Sequence, residues 1–230
     1  MVVVAKFSDV DVSTIKVVES PKGRQGTFNV VTATGETLVI QFGNAPPSAE
    51  LATSVDYFMP QKVGLVQDKN NPDSYLISVR LPKDHPVVAK LTEIDNVLFD
   101  FFKANNKKID KTRFRRIAWI PDKKEEEGGG PGDTAFITFK TKLQRDTNSF
   151  IGKAYAYPDM TNAKELSSLL PEQPVVVLGK ISTWNTASGY GGTIWIEDVL
   201  MGPAPKKGGQ RFIVESFQEG VSTFDPVTVV

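Results

Sequence analysis

The sequence predicts a mainly β fold: a closed or sandwiched β core carrying one long amphipathic helix, with an N-terminal hairpin and a C-terminal extension. Three observations lead there. About nine segments read as strands, by alternation or by Val and Ile content. One long segment, residues 86–104, repeats its apolar residues at helical spacing. Helices do not alternate with strands, which removes the doubly wound class.

With 230 residues the chain is long enough to bury a sizeable core. Lys plus Arg and Asp plus Glu number 27 each, so only local clustering of charge bears on a polyanionic partner. Cys is absent and His85 is the single histidine. That removes thiolate catalysis, disulfide frameworks and Cys-based metal sites, and leaves too few groups for a His-rich metal site or a Ser-His-Asp triad. The acids Asp68, Asp73, Glu93, Asp95, Glu197 and Asp198 show no metal-ligand spacing, so a metal-dependent nuclease or hydrolase is a minor alternative. No enzyme activity and no cofactor are expected. The first twelve residues carry only Lys6 as a cation, unlike a signal peptide, and no segment approaches the roughly 18 apolar residues that span a bilayer. A soluble, intracellular protein without a membrane partner is expected.

Taken in order, residues 27–32 and 37–42 form a hairpin turning at Thr34-Gly35, with Leu38, Ile40 and Phe42 on one face. Residues 1–50 make up this N-terminal region. Pro46-Pro47 ends the pairing, because proline lacks an amide hydrogen. A new unit is expected to begin near Val55. Its first clear strand, 75–81, follows a turn-rich stretch at 68–73 and sets Tyr75, Ile77, Val79 and Leu81 against Leu76, Ser78 and Arg80. Asp84 reads as the N-cap of the helix, with Pro86 in its first turn. Val87, Leu91, Ile94, Leu98 and Phe101 or Phe102 make its apolar face.

Beyond the helix comes the most basic stretch of the chain, from Lys103 through Arg113, Arg115 and Arg116, with Phe114 and Trp119 interleaved. Residues 122–133, with Gly128-Gly129-Gly130, have no apolar anchor and are expected to be a disordered insert. Residues 134–142 alternate Ala135, Ile137 and Phe139 against Phe136, Thr138 and Lys140, and a one-residue slip exchanges the faces. In 151–157, Ile151, Lys153, Tyr155 and Tyr157 share one strand face. A Val-rich strand over 174–183 leads through a glycine-rich tip at 184–192 into a strand over 193–201. Residues 202–230 form the extension, with a candidate strand at 211–217.

Rings beside cations suit stacked bases and phosphates of a single strand. The candidate binding residues are Arg80, Arg113, Arg115, Arg116, Phe136, Lys140, Lys153, Tyr155, Tyr157, Trp184 and Trp195. Two tyrosines on one strand face also suit half-buried packing, and a charge run also suits a solvated surface.

The order of Met59-Pro60, Gly64, the Tyr75 strand, the helix ending in Phe101-Phe102, the basic stretch and Trp195-Ile196-Glu197-Asp198-Val199 resembles the podophage-type single-stranded DNA-binding proteins and their relatives in large eukaryotic DNA viruses. The resemblance spans residues 55–201. It implies an oligonucleotide-binding, OB-fold-like barrel, single-stranded DNA as partner in viral replication or recombination, replication proteins as further partners, and a location in the host cell or virion. Two features depart from that pattern. Gln61 and Lys62 follow Met-Pro where an aromatic is common, and residues 220–230 carry only Asp225 in place of a strongly acidic tail. The apolar ends, residues 1–4 and 227–230, are able to add strands to a neighbour. They leave open a homo-oligomer and an alternative role as a β-rich viral structural or minor capsid protein.

Overall fold

The computed structural model describes residues 1–20, 27–48, 58–61, 64–105, 110–121, 133–144, 146–187 and 189–204. Most of the glycine-rich insert, the start of the middle unit near residue 55 and the candidate strand at 211–217 lie outside the described residues. One mixed sheet dominates. Its strands are β1 (Val2–Lys6), β2 (Lys16–Glu19), β3 (Phe28–Val31), β4 (Thr37–Phe42), β5 (Val66–Asp68), β6 (Asn71–Pro82), β7 (Phe114–Arg115), β8 (Ala118–Trp119), β9 (Thr134–Gln144), β10 (Ser149–Phe150), β11 (Lys153–Ala156), β12 (Ala163–Lys164), β13 (Val175–Thr186) and β14 (Gly189–Met201). Among the described residues a single α-helix, α1 (Pro86–Asn105), follows β6. The mainly β class with one long helix is thus as expected. The pairing is mixed rather than purely antiparallel: β1–β4, β11–β14, β7–β14 and β9–β14 run parallel. In each case the connecting chain is long enough to cross over, whereas tight hairpins allow only antiparallel neighbours.

The spine is the β13–β14 hairpin, paired from Val175 with Met201 to Thr186 with Gly189. Val175, Val177 and Ile181 on one strand and Ile194, Ile196 and Val199 on the other are buried. Leu178 pairs with Asp198 and Gly179 with Ile196, which leaves Glu197 as an extra residue, a bulge that resets the alternation. Strands β3 and β4 join through β13, and β9, β11 and β7 through β14. Strand β6 pairs with β9 from Ser74–Lys142 to Pro82–Thr134, which brings Ile77, Val79 and Leu81 beside Ala135, Ile137 and Phe139 on the core face. Register fixes the opposite face too: Arg80, Phe136, Thr138 and Lys140 turn outward.

Helix α1 buries Val88, Leu91, Ile94 and Leu98 in that same core, and Phe102 against Tyr190, with ring centroids 5.2 Å apart. Its cap is His85, whose Nδ1 accepts the Val87 N–H at 3.2 Å, in place of the expected Asp84. The reason is positional, since His85 directly precedes Pro86, the first helical residue.

Two devices seat the basic stretch on this framework. Strand β7 runs along the start of β14, with Tyr190 opposite Phe114 and Gly191 opposite Arg115. A Cβ on Gly191 would collide with the Arg115 carbonyl, and one on Gly192 would come within 2.7 Å of the Ile117 side chain. The glycine-rich stretch is therefore strand down to Gly189, not the long hairpin tip that its composition suggests; the glycines are required by close approach of a second backbone. Phe114 closes the seam, its ring 5.5 Å from Phe99 and 5.7 Å from Tyr190. The second device is Asp95, only 1% exposed on α1, whose two carboxylate oxygens each accept the Ile117 N–H at 3.0 Å. Burial pushes its carboxyl up to about 7, against the opposing pull of the Ile117 and Ala118 N–H groups and of Arg116.

Gly191→Ala is expected to lower the urea midpoint by a cost of about 1–3 kcal/mol, the range for forcing atoms into a packed contact. An unchanged midpoint would contradict the seating of β7. Asp95 gives a pH signature. An acid whose folded pKa lies above its unfolded value of 3.8 favours folding fully below that value, and the contribution is lost as pH rises to about 7. Urea stability should fall by roughly 2 kcal/mol between pH 5 and 8, and Asp95→Asn should flatten this slope. An equally steep slope in the variant would assign it elsewhere.

Candidate nucleic-acid interface

The outward face of β6, β9, β14 and β13 carries the candidate site. On β9, Phe136 stands opposite Arg80 of β6 and Trp119 of β8. The Phe136 and Trp119 rings lie 5.5 Å apart at 40°, and the Arg80 guanidinium carbon sits 5.8 Å from the Phe136 centroid. Arg80 also reaches Thr134 Oγ1 at 3.4 Å. Trp119 is 52% exposed, a large apolar ring held in solvent beside a cation.

Next along β9, Lys140 faces Leu76 on one side and Trp195 on the other. Trp195 is half-buried and carries the Lys142 ammonium 4.8 Å from its ring centroid. A shallow recess of about 330 Å³ opens on this face. Arg115, Arg116, Trp119, Phe136, Lys140 and Trp184 line it, Leu76, Thr138 and Thr193 contribute small or apolar surface, and the turn between β5 and β6 adds Asp68 and Asn70. Lys140 Nζ and Asp68 Oδ2 are paired at 3.0 Å. Burial works against the Asp68 charge, but the Asn70 N–H and Lys140 outweigh it and hold the carboxyl below the usual range.

The structure thus brings together Arg80, Arg115, Arg116, Phe136, Lys140, Trp184 and Trp195 of the expected set. The other four lie elsewhere. Arg113 donates to the Ala187 carbonyl, fastening the basic stretch to the tip of the β13–β14 hairpin. Lys153 pairs with Glu165, whose carboxyl is lowered chiefly by that hydrogen bond. Tyr155 is half-buried between β12 and the far end of β14, opposite Ala163 and Leu200. Tyr157 lies past the end of β11, its ring 5.9 Å from Phe58 and its hydroxyl donating to the Pro46 carbonyl at 2.8 Å. Its environment is packing, consistent with a satisfied phenol on an apolar body.

Three residues absent from that set belong to the face. Lys142 follows Lys140 by one strand period, so alternation points to it. Trp119 sits in a two-residue strand whose pairing with Phe136 leaves no periodic signal. Asp68 depends on turn geometry. Among the described residues no three His, Asp or Glu side chains converge as a metal site would require. Of the acids considered for one, Glu197 pairs with Lys180 at 2.7 Å and Asp198 accepts the Lys153 N–H at 2.9 Å.

No protein-family model and no curated protein matches this sequence. Among solved structures, the chain is similar to gp2.5, a single-stranded DNA-binding protein encoded by bacteriophage T7, with 13% identity and a TM-score of 0.42 over 80% of this chain and 97% of that one. It is also similar to the single-stranded DNA-binding protein from bacteriophage Enc34 in complex with ssDNA, with 14% identity and a TM-score of 0.43 over 84% of this chain and 99% of that one. A C-terminal truncation of the Enc34 protein gives 13% identity and a TM-score of 0.43, over 83% and 97%. Similarity at this level ties no residue here to a residue there, and no helix of the described residues is long and apolar enough to cross a membrane.

Proposed function

We propose that this protein binds single-stranded DNA, without catalysis, on the outward sheet face, by stacking bases on Trp119 and Phe136 and neutralising phosphates with Arg80, Arg115, Arg116, Lys140 and Lys142. The observation that carries the reading is the pairing of an exposed Trp119 with Phe136, 5.5 Å apart, beside the Arg80 guanidinium. An isolated soluble fold gains nothing from holding an indole in water, whereas a base stacked there contributes roughly 1–3 kcal/mol. Trp184 and Trp195 extend the stacking surface along the recess. Protection of single strands in replication or recombination follows from binding that reads rings and phosphates, which every nucleotide carries.

A second reading, a β-rich structural or assembly role, has one observation in its favour. Among the described residues β1 pairs only with β4, and its Val2 and Val4 are 58% and 60% exposed, an edge open to another strand. Light scattering of the DNA-free protein separates the two, since large assemblies indifferent to oligonucleotides would favour it.

Anisotropy titration of a labelled oligothymidylate should give tight binding at low salt that weakens steeply as NaCl rises. Trp119→Ala and Phe136→Ala should each cost about 1–3 kcal/mol, with little change in salt slope. Arg115→Gln and Arg116→Gln should each flatten the slope by up to about 0.7. Tyr157→Phe should bind as the parent does. No binding at low salt, or equal losses from the Trp119 and Tyr157 variants, would overturn the proposal.

A further inference from the structure

The recess that faces the strand contains an acid, and its placement is built rather than incidental. Asp68 ends β5 at a register shift between Gln67 and Asp68, so the strand kinks and the carboxylate turns toward β9. Its Oδ1 accepts the Asn70 N–H at 3.0 Å, an Asx turn that fixes the carboxylate plane. Its Oδ2 then meets Lys140 Nζ at 3.0 Å, and its side chain is only 13% exposed, against 33% for Lys140. The acid is the rigid partner of the pair and the lysine the mobile one, a compact charge on a four-carbon stem.

We propose that Asp68 is a resident competitor for phosphate. In the free protein it occupies Lys140; as a strand enters, Lys140 exchanges the carboxylate for a phosphate oxygen while Asp68 stays in the turn. This rests on the single-stranded DNA reading of the recess and adds a regulator to it. The carboxylate stands in for one phosphate, so the empty groove is partly neutralised and loosely held strands are released. It also leaves a negative charge beside the strand after exchange, which lowers affinity for any placement that brings a phosphate to the turn. The free protein is thereby spared an uncompensated cluster of cations on one face.

Asp68→Asn isolates the effect, because the amide oxygen still accepts the Asn70 N–H while the charge is removed. The test is oligothymidylate anisotropy from 50 to 300 mM NaCl with the full chain; thymine has no exocyclic amine to take the lysine's place. D68N should bind about two- to five-fold tighter at the low-salt end, and its plot of log K against log[NaCl] should steepen by up to about 0.7. Lys140→Gln should cost more in the D68N background than in the parent, where the lysine must first be released. A urea midpoint for D68N equal to the parent's would show the turn intact. Equal affinity and slope for D68N and parent, with Lys140→Gln costing the same in both, would overturn the exchange and leave DNA binding standing. No binding by parent or D68N would overturn the reading beneath it.

Discussion

The arrangement of the outward face depends on one constraint, the close approach of two backbones where β7 lies along the glycines of β14. Only residues without a Cβ at positions 191 and 192 let the Arg115 carbonyl and the Ile117 side chain come so near. Once there, Ile117 meets the Asp95 carboxylate from α1, and the two residues of β8 that follow pair with β9, which sets Trp119 beside Phe136. A helix, a hairpin and a basic stretch distant in sequence are thereby fixed to one another. The stacking pair is a consequence of backbone packing rather than of any local motif.

Charge is handled differently on the two faces. Inside, Asp95 tolerates burial because the basic stretch supplies N–H donors to it, and its raised pKa records how little water it keeps. Outside, the net charge of the chain is +0, yet Arg80, Arg115, Arg116, Lys140 and Lys142 share one sheet face. Overall neutrality and a local cationic field coexist because other acids are paired with other lysines: Glu165 with Lys153, Glu197 with Lys180, Asp133 with Lys83. Asp68 is the acid that remains within the recess.

Long periodic segments were legible in the sequence. The β3–β4 hairpin, β6, α1 and β9 lie where alternation and helical spacing put them, but which face of β9 is core was open in the sequence and is fixed by its register with β6, which buries Ala135, Ile137 and Phe139 and carries Phe136 and Lys140 outward. What escaped the sequence has a common cause. Strands β7 and β8 have two residues each, too short to express a period, and their partners are distant. Glycines at 189–192 looked like a loop because composition does not distinguish flexibility from close approach. Of the face expected to hold Ile151, Lys153, Tyr155 and Tyr157, only Lys153 and Tyr155 lie in β11; Tyr157, past its end, meets Phe58 and the Pro46 carbonyl, contacts set by tertiary structure alone. The strand itself is shorter than its alternation, Lys153–Ala156, because Gly152 turns at φ 90° and leaves Ile151 outside it.

The most direct test of where a strand lies is photocrosslinking with an oligonucleotide carrying 5-bromodeoxyuridine, read out by mass spectrometry of the cross-linked peptides. Stacking on the outward face predicts adducts at Trp119 and Phe136, with further adducts at Trp184 or Trp195, and none at Tyr157. Adducts confined to the β11 segment and Tyr157, with Trp119 and Phe136 unmodified, would contradict the account.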